Sequence, residues 1–422
     1  MTDLFDVQRK TAIKLLLTCL GRKTGEMNAA RLDRLSPAVW EEMVQLLVWH
    51  DLASLFYYRL KTLALDITVP SSVEQQLREL YHGSAIKSVH LHRELARVLQ
   101  GLKRADIPVI TLKGAFLAQA VYRHTTMRPM IDVDLLVRQT DLAKAEKKLL
   151  GMGYGPPERL SIEEQCAQSH HLTEFTKPGA PPVEVHWTLS HPTLRPFKVD
   201  VDGLWQRARP AVIAGVNVLA LSPEDLILYL CLHVSFHHNF HLGLKPFCDI
   251  DETIWHYRDE MDWERVQLYA RRWGIDKYVY LTLHLVRELL GASVPDEVLG
   301  TLNPGDLNSQ VVAGAMEQIF ADRDDPPPLS PNIARLWEAK RLQDKTSLFL
   351  KSIFPSSEIM ARTYSIPPDS PRIWLYYPVR LKDLVLRHGR TAWRLLRRDA
   401  ETVALTEREN RGIALKDWMA ST

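Results

Sequence analysis

The stretch from Pro108 to Val137, PVITLKGAFLAQAVYRHTTMRPMIDVDLLV, limits the possible folds more than any other part of the chain. It reads as strand, glycine turn, helix, loop and strand. Val109, Ile110 and Leu112 form a short apolar, β-rich run that stops at Lys113-Gly114, where a residue without a Cβ allows close approach of a ligand. A helix is expected from Ala115 to Val121, with Phe116, Leu117, Ala120 and Val121 on its buried face and its first N–H groups free to meet an anion. In IDVDLLV the alternation sets Ile131, Val133, Leu135 and Val137 on one face and Asp132 and Asp134 on the other. Two carboxylates on one open strand face repel, and a divalent cation relieves that repulsion.

A third acid stands in a similar setting about fifty positions on. In VEVHW, Val183, Val185 and Trp187 are expected to pack inward while Glu184 and His186 face outward. Asp132, Asp134 and Glu184 on neighbouring strands would form an oxygen-rich site for magnesium, facing a glycine turn suited to phosphate. Taken singly, each of these acids is equally a surface carboxylate; the combination is what is specific.

These residues resemble a known family. LKG at Leu112–Gly114, R-x-x-x-D-x-D-L-L-V from Arg128 to Val137 and V-E-V-H-W from Val183 resemble the uncharacterised nucleotidyltransferases of the DNA polymerase beta-like superfamily. The likeness covers about Pro108 to Leu189 and continues more loosely to about Leu290. Lys113-Gly114-Ala115 replaces the superfamily's glycine-serine element, which removes a hydroxyl from the phosphate site and puts a lysine beside it.

The resemblance implies transfer of a nucleoside monophosphate from an NTP to an acceptor hydroxyl, with two Mg2+ ions, or Mn2+, held by Asp132, Asp134 and Glu184. It implies nucleotide contacts from Lys113, Gly114, Arg128 and His186, and a cleft lined by His233, His237 and Asp249. For Lys113 the alternative is an exposed lysine, for Arg128 an ion pair with one of the acids, and for His186 a structural hydrogen bond. The acceptor is open: a small molecule, peptide, protein or RNA each fits. Two other readings stand beside this one, a catalytically silent nucleotide-binding or regulatory protein on the same fold and a metal-dependent phosphohydrolase using the histidine stretch.

The fold class expected is α+β and mostly helical, with a small mixed sheet flanked by helical regions. Four segments follow: a helical region over 1–105, the α/β core over 106–220, a helical cleft domain over 221–320 and a helical extension over 321–422. In the first, Ser72 with Gln75 resembles a capping box, and the adjacent His50-Asp51 reads as structural or as a metal pair. In the core, Thr140 is expected to cap a helix, a loop to run from Pro156 to about Gln168, and LTEFTK to form a hairpin with VEVHW. Ser222-Pro223-Glu224-Asp225 is a helix start, and His233, His237 and His241 recur at helical spacing, which suits a shared zinc or buried hydrogen bonds. The basic segment 380–398, carrying Arg380, Lys382, Arg387, Arg390, Arg394, Arg397 and Arg398 among apolar residues, suits an anionic membrane surface or RNA, or simply a solvated helix face.

A net charge of +2 names no partner, and 46% hydrophobic with 25% charged residues is the composition of a globular chain. Cys19, Cys166, Cys231 and Cys248 are too dispersed for a zinc knuckle and point to reduced thiols. Acidic Asp3 and Asp6 and the absence of a long apolar run argue against export or membrane insertion, so a cytoplasmic protein is expected.

Overall fold

A computed structural model describes residues 2–22, 35–62, 69–155, 160–190, 197–321, 354, 360, 371–382, 397 and 399–421. These residues form an α+β, mostly helical protein with one mixed sheet. The chain divides into two compact units, 1–305 and 306–422.

Four helices open the first unit: α1 (Thr2–Leu20), α2 (Pro37–Trp49), α3 (Ala53–Thr62) and α4 (Ser71–Arg104). Helix α2 starts where Ser36 accepts a hydrogen bond from the Val39 amide and Pro37 occupies the first turn. Helix α4, 34 residues and so about 50 Å long, buries Leu95, Val98, Leu99 and Leu102 along one stripe of its last turns. It starts after Pro70 with no side-chain cap, and Gln75 bonds Glu79 one turn on, so the expected Ser72 capping box does not form. His50 ends α2 as a scaffold residue: its Nδ1 accepts from the Leu244 amide (3.2 Å), and Asp51 is ion-paired with Lys245.

The α/β part follows as β1 (Ile110–Thr111), α5 (Lys113–Ala120), β2 (Val133–Leu136), α6 (Leu142–Gly151), α7 (Ile162–Gln168), β3 (Val183–His186), α8 (Val201–Arg207), β4 (Arg209–Ile213) and β5 (Val216–Ala220). The strand order is β3-β2-β1-β5-β4, with β2/β3 and β1/β5 parallel and β1/β2 and β4/β5 antiparallel. The central strands β1 and β2 are wholly buried, Thr111 and Asp134 included.

Several expectations give way here. Helix α5 starts at Lys113, two residues before Ala115. Gln139–Asp141 form a 3-10 turn ahead of α6, so Thr140 is not its cap. Part of the expected loop before Gln168 is α7, closed by a reciprocal capping box between Ser161 and Glu164. Ile131 is 71% exposed, because β2 begins only at Val133. His186 is buried and Trp187 half-buried, the reverse of the expected alternation. The LTEFTK arm does lie antiparallel to β3, through Phe175↔Val183 and His171↔His186.

The hairpin β4/β5 was not expected. Its turn, Ala214-Gly215, has positive φ at both residues (50° and 75°), the conformation that continues a right-handed strand twist. Beyond it come α9 (Pro223–Leu232), a π-helical turn His233–His237, α10 (Lys245–His256), α11 (Trp263–Trp273), α12 (Asp276–Leu290) and α13 (Asp296–Leu302). Helix α9 starts as expected, with Ser222 accepting from the Asp225 amide and Pro223 in the first turn; all ten of its residues are buried.

In the second unit, α14 (Ser309–Ile319) and α15 (Ala400–Ala420) pack together. Gly314 makes this close approach possible, since a Cβ there would meet the Arg411 carbonyl at 2.4 Å. Arg411 also pairs with Glu317 (Nε–Oε1 2.7 Å). Within the basic segment, only Arg380, Lys382 and Arg397 are among the described residues, so that reading lies outside them. No described helix is long and apolar enough to cross a membrane, and all four cysteines are free thiols.

Candidate active site

Strands β2 and β3 pair in parallel with Asp134 opposite Glu184 and Leu136 opposite His186. This register brings together side chains fifty residues apart. The Leu112 amide donates to the Asp134 carbonyl (3.0 Å), which pins the start of α5 to β2. Lys113 then leaves the strand with φ +37°, a left-handed conformation that costs a non-glycine residue about 1–3 kcal/mol and persists only where the surroundings impose it. Its side chain is ion-paired: Lys113 Nζ lies 2.7 Å from Asp134 Oδ1 and 3.9 Å from Glu184 Oε2. His186 Nε2 faces the same two groups, 3.0 Å from Asp134 Oδ1 and 3.3 Å from Glu184 Oε2.

Asp134, Glu184 and His186 form the one group of potential metal-binding side chains found among the described residues. Asp132, half-buried, stands just ahead of β2 and outside that trio. It still feels the cluster: burial and the Asp134 charge lift its carboxyl to about 6. Asp134 moves the other way. Burial raises its pKa, but Lys113 and His186 outweigh this and hold it well below the ordinary carboxylate range. Burial likewise opposes the charge on Lys113, and Tyr229, Asp134 and Glu184 overcome it, so the ammonium stays protonated far above neutral pH.

Asp134 is fully buried, yet its Oδ2 has no hydrogen-bond partner. Buried carboxylate oxygens are rarely left so. An orphaned oxygen beside a half-exposed glutamate and a buried lysine is a donor set that suits a hard divalent cation.

Arg128 and Asp249, expected as a nucleotide contact and a cleft residue, are joined to each other. Arg128 grips Asp249 with two bonds, Nε to Oδ1 (3.1 Å) and Nη2 to Oδ2 (2.8 Å), and the Tyr122 hydroxyl donates to Oδ1 (2.9 Å). The guanidinium rests on Gly114, where a Cβ would lie 2.6 Å from Nη1. The glycine is therefore required by the arginine, a reason invisible at the level of the LKG motif.

The histidines also rearrange. The π-helical turn widens the spacing, so His233 meets His238 (ring centroids 4.5 Å) and not His237 (6.4 Å). His237 bonds the Leu189 carbonyl (3.0 Å) and stacks on His170 (4.6 Å), which borders His186 (5.4 Å). Burial keeps His237 neutral, with its pKa lowered to about 4, and pushes His170 and His233 further down. His170 and His171, also packed beside His186, were missed in the sequence; the signal was their place directly before LTEFTK, the arm expected opposite VEVHW. No three ligands gather around His233, His237 and His241 among the described residues.

A profile of a family described as an uncharacterised nucleotidyltransferase matches residues 36–291. Comparison with curated proteins gives no match. Among solved structures, the chain is similar to the solution structure of the antibiotic-resistance factor ANT(2'')-Ia, with 14% identity and a TM-score of 0.32, over 46% of this chain and 96% of that one.

Proposed function

Because the chain belongs to this uncharacterised nucleotidyltransferase family, we propose that it transfers a nucleoside monophosphate from an NTP to an acceptor hydroxyl and releases pyrophosphate. The observation that carries the reading is the Asp134–Glu184 pairing across β2 and β3, with a buried Asp134 oxygen left unbonded.

Asp132, Asp134 and Glu184 are the residues that would hold Mg2+, for which Mn2+ is a close substitute. When bound, such an ion neutralises triphosphate charge and fixes the phosphate for in-line attack. His186 orients Glu184 and Asp134 through its Nε2. The α5 start at Gly114 supplies backbone N–H groups on the phosphate side, and Arg128, locked by Asp249, keeps that turn in place. We assign to Glu184, 23% exposed where Asp134 is closed off, the role of taking the acceptor's proton.

Mass spectrometry of a metabolite and protein extract, incubated with the chain, Mg2+ and each NTP in turn, tests the proposal. The expected result is a new species heavier by one nucleoside monophosphate, lost with Asp134→Asn. Products heavier by a lone phosphate, or equal product from Asp134→Asn, contradict it.

A further inference from the structure

The position between Asp134 and Glu184 is already filled by a cation that belongs to the chain. Lys113 Nζ sits 2.7 Å from one carboxylate and 3.9 Å from the other. Its side chain is only 15% exposed, and its backbone is held at φ +37°. A flexible surface lysine shows none of these features. A largely buried ammonium with a carboxylate at hydrogen-bond distance is a fixed part of the site.

The charges in reach support this. Asp132, Asp134 and Glu184 bring three negative charges, and Lys113 is the one lysine or arginine within ion-pair distance of Asp134 and Glu184 among the described residues, Arg128 being spent on Asp249. One divalent ion added to one ammonium balances three carboxylates. Two divalent ions added to it would leave the cluster with a surplus of positive charge before any nucleotide arrives, and would place an ion against Nζ at Coulombic cost.

We propose that Lys113 permanently replaces the ion that would bridge Asp134 and Glu184, so that the protein binds a single divalent cation, on the side of Asp132 and the orphaned Asp134 Oδ2. This rests on the nucleotidyltransferase reading and deepens it: two ions were expected from the sequence, and the geometry points to one ion and one lysine. In the reaction, Lys113 would then act on the acceptor side as a fixed positive charge that needs no metal to be recruited.

The test counts bound ions without needing substrate. The full chain is titrated with Mn2+ and free ion is followed by electron paramagnetic resonance. The wild type is expected to bind one Mn2+, Lys113→Met two, and Lys113→Arg, which keeps the charge, one. Asp134→Asn should abolish binding in each background. Two ions on the wild type, or one on Lys113→Met with its circular dichroism unchanged, overturns the proposal while leaving the transferase reading intact. No ion on any of the proteins removes the metal site itself and this proposal with it. If Lys113→Met is poorly folded, the wild-type count alone decides.

Discussion

Two basic-acidic pairs lie on either side of the same glycine turn, and they are built to opposite standards. In the Arg128–Asp249 knot, both carboxylate oxygens are bonded and Tyr122 adds a third donor. In the Lys113–Asp134 pair, two donors crowd onto Oδ1 while Oδ2 has none, and a second carboxylate stands across the strand. The satisfied pair is scaffold. The unsatisfied one carries repulsion that folding alone does not relieve, which is the feature the proposed ion site rests on.

The largest expected difference is in activity. Asp134→Asn should lower nucleotidyl transfer by about 10³-fold, read as pyrophosphate release, because the position loses its charge toward the ion. Its melting temperature should fall only modestly, since Lys113 loses its nearest partner but keeps Glu184 at 3.9 Å, and like-charge repulsion with Asp132 is removed. A cooperative loss of fold instead would make Asp134 scaffold and dissolve the contrast.

Arg128→Met should behave in the reverse way, costing about 3–5 kcal/mol of stability by stranding the buried Asp249. Chemical denaturation measures this, and a loss below 1 kcal/mol would show the knot to be incidental. Gly114→Ala should cost less, about 1–3 kcal/mol, as the methyl group displaces a guanidinium held by two bonds.

The smallest effect sharpens the comparison through pH. Asp132 has its folded pKa near 6 against about 4 unfolded, so the folded chain binds more protons across that window. Metal-free stability should therefore contain a component that falls as pH rises from 4 to 6 and is absent from Asp132→Asn. His237, with a folded pKa near 4, contributes the opposite slope between 4 and 6.5, so the wild-type-minus-variant difference is the quantity to read.

Much of this was legible in the chain itself. Alternation in IDVDLLV and VEVHW placed two strands, and Asp134 meets Glu184 across β2 and β3, because a buried strand fixes its register through its side-chain period, while Asp132 falls ahead of β2. Residues 209–220 were missed as a hairpin although Ala214-Gly215 marks a turn, since β4 is largely exposed and its apolar pattern weak. The partner of Arg128 was beyond local reading: Asp249 lies 121 residues away, and no periodicity links the two. A π-helical turn likewise defeats counting by fours, which is why His238 and not His237 stands against His233. Burial of His186 came from the neighbouring arm at His170 and His171, a tertiary effect with no trace in VEVHW.

The central claim is that the Asp134–Glu184 cluster moves a nucleoside monophosphate, and isotopic labelling tests it most directly. The chain is incubated with an acceptor extract and NTP labelled at either the α or the γ phosphate. Label from the α position should enter a product, label from the γ position should appear only in pyrophosphate, and both should cease in Asp134→Asn. Transfer of γ label to the product, or undiminished α transfer in the variant, would contradict the account.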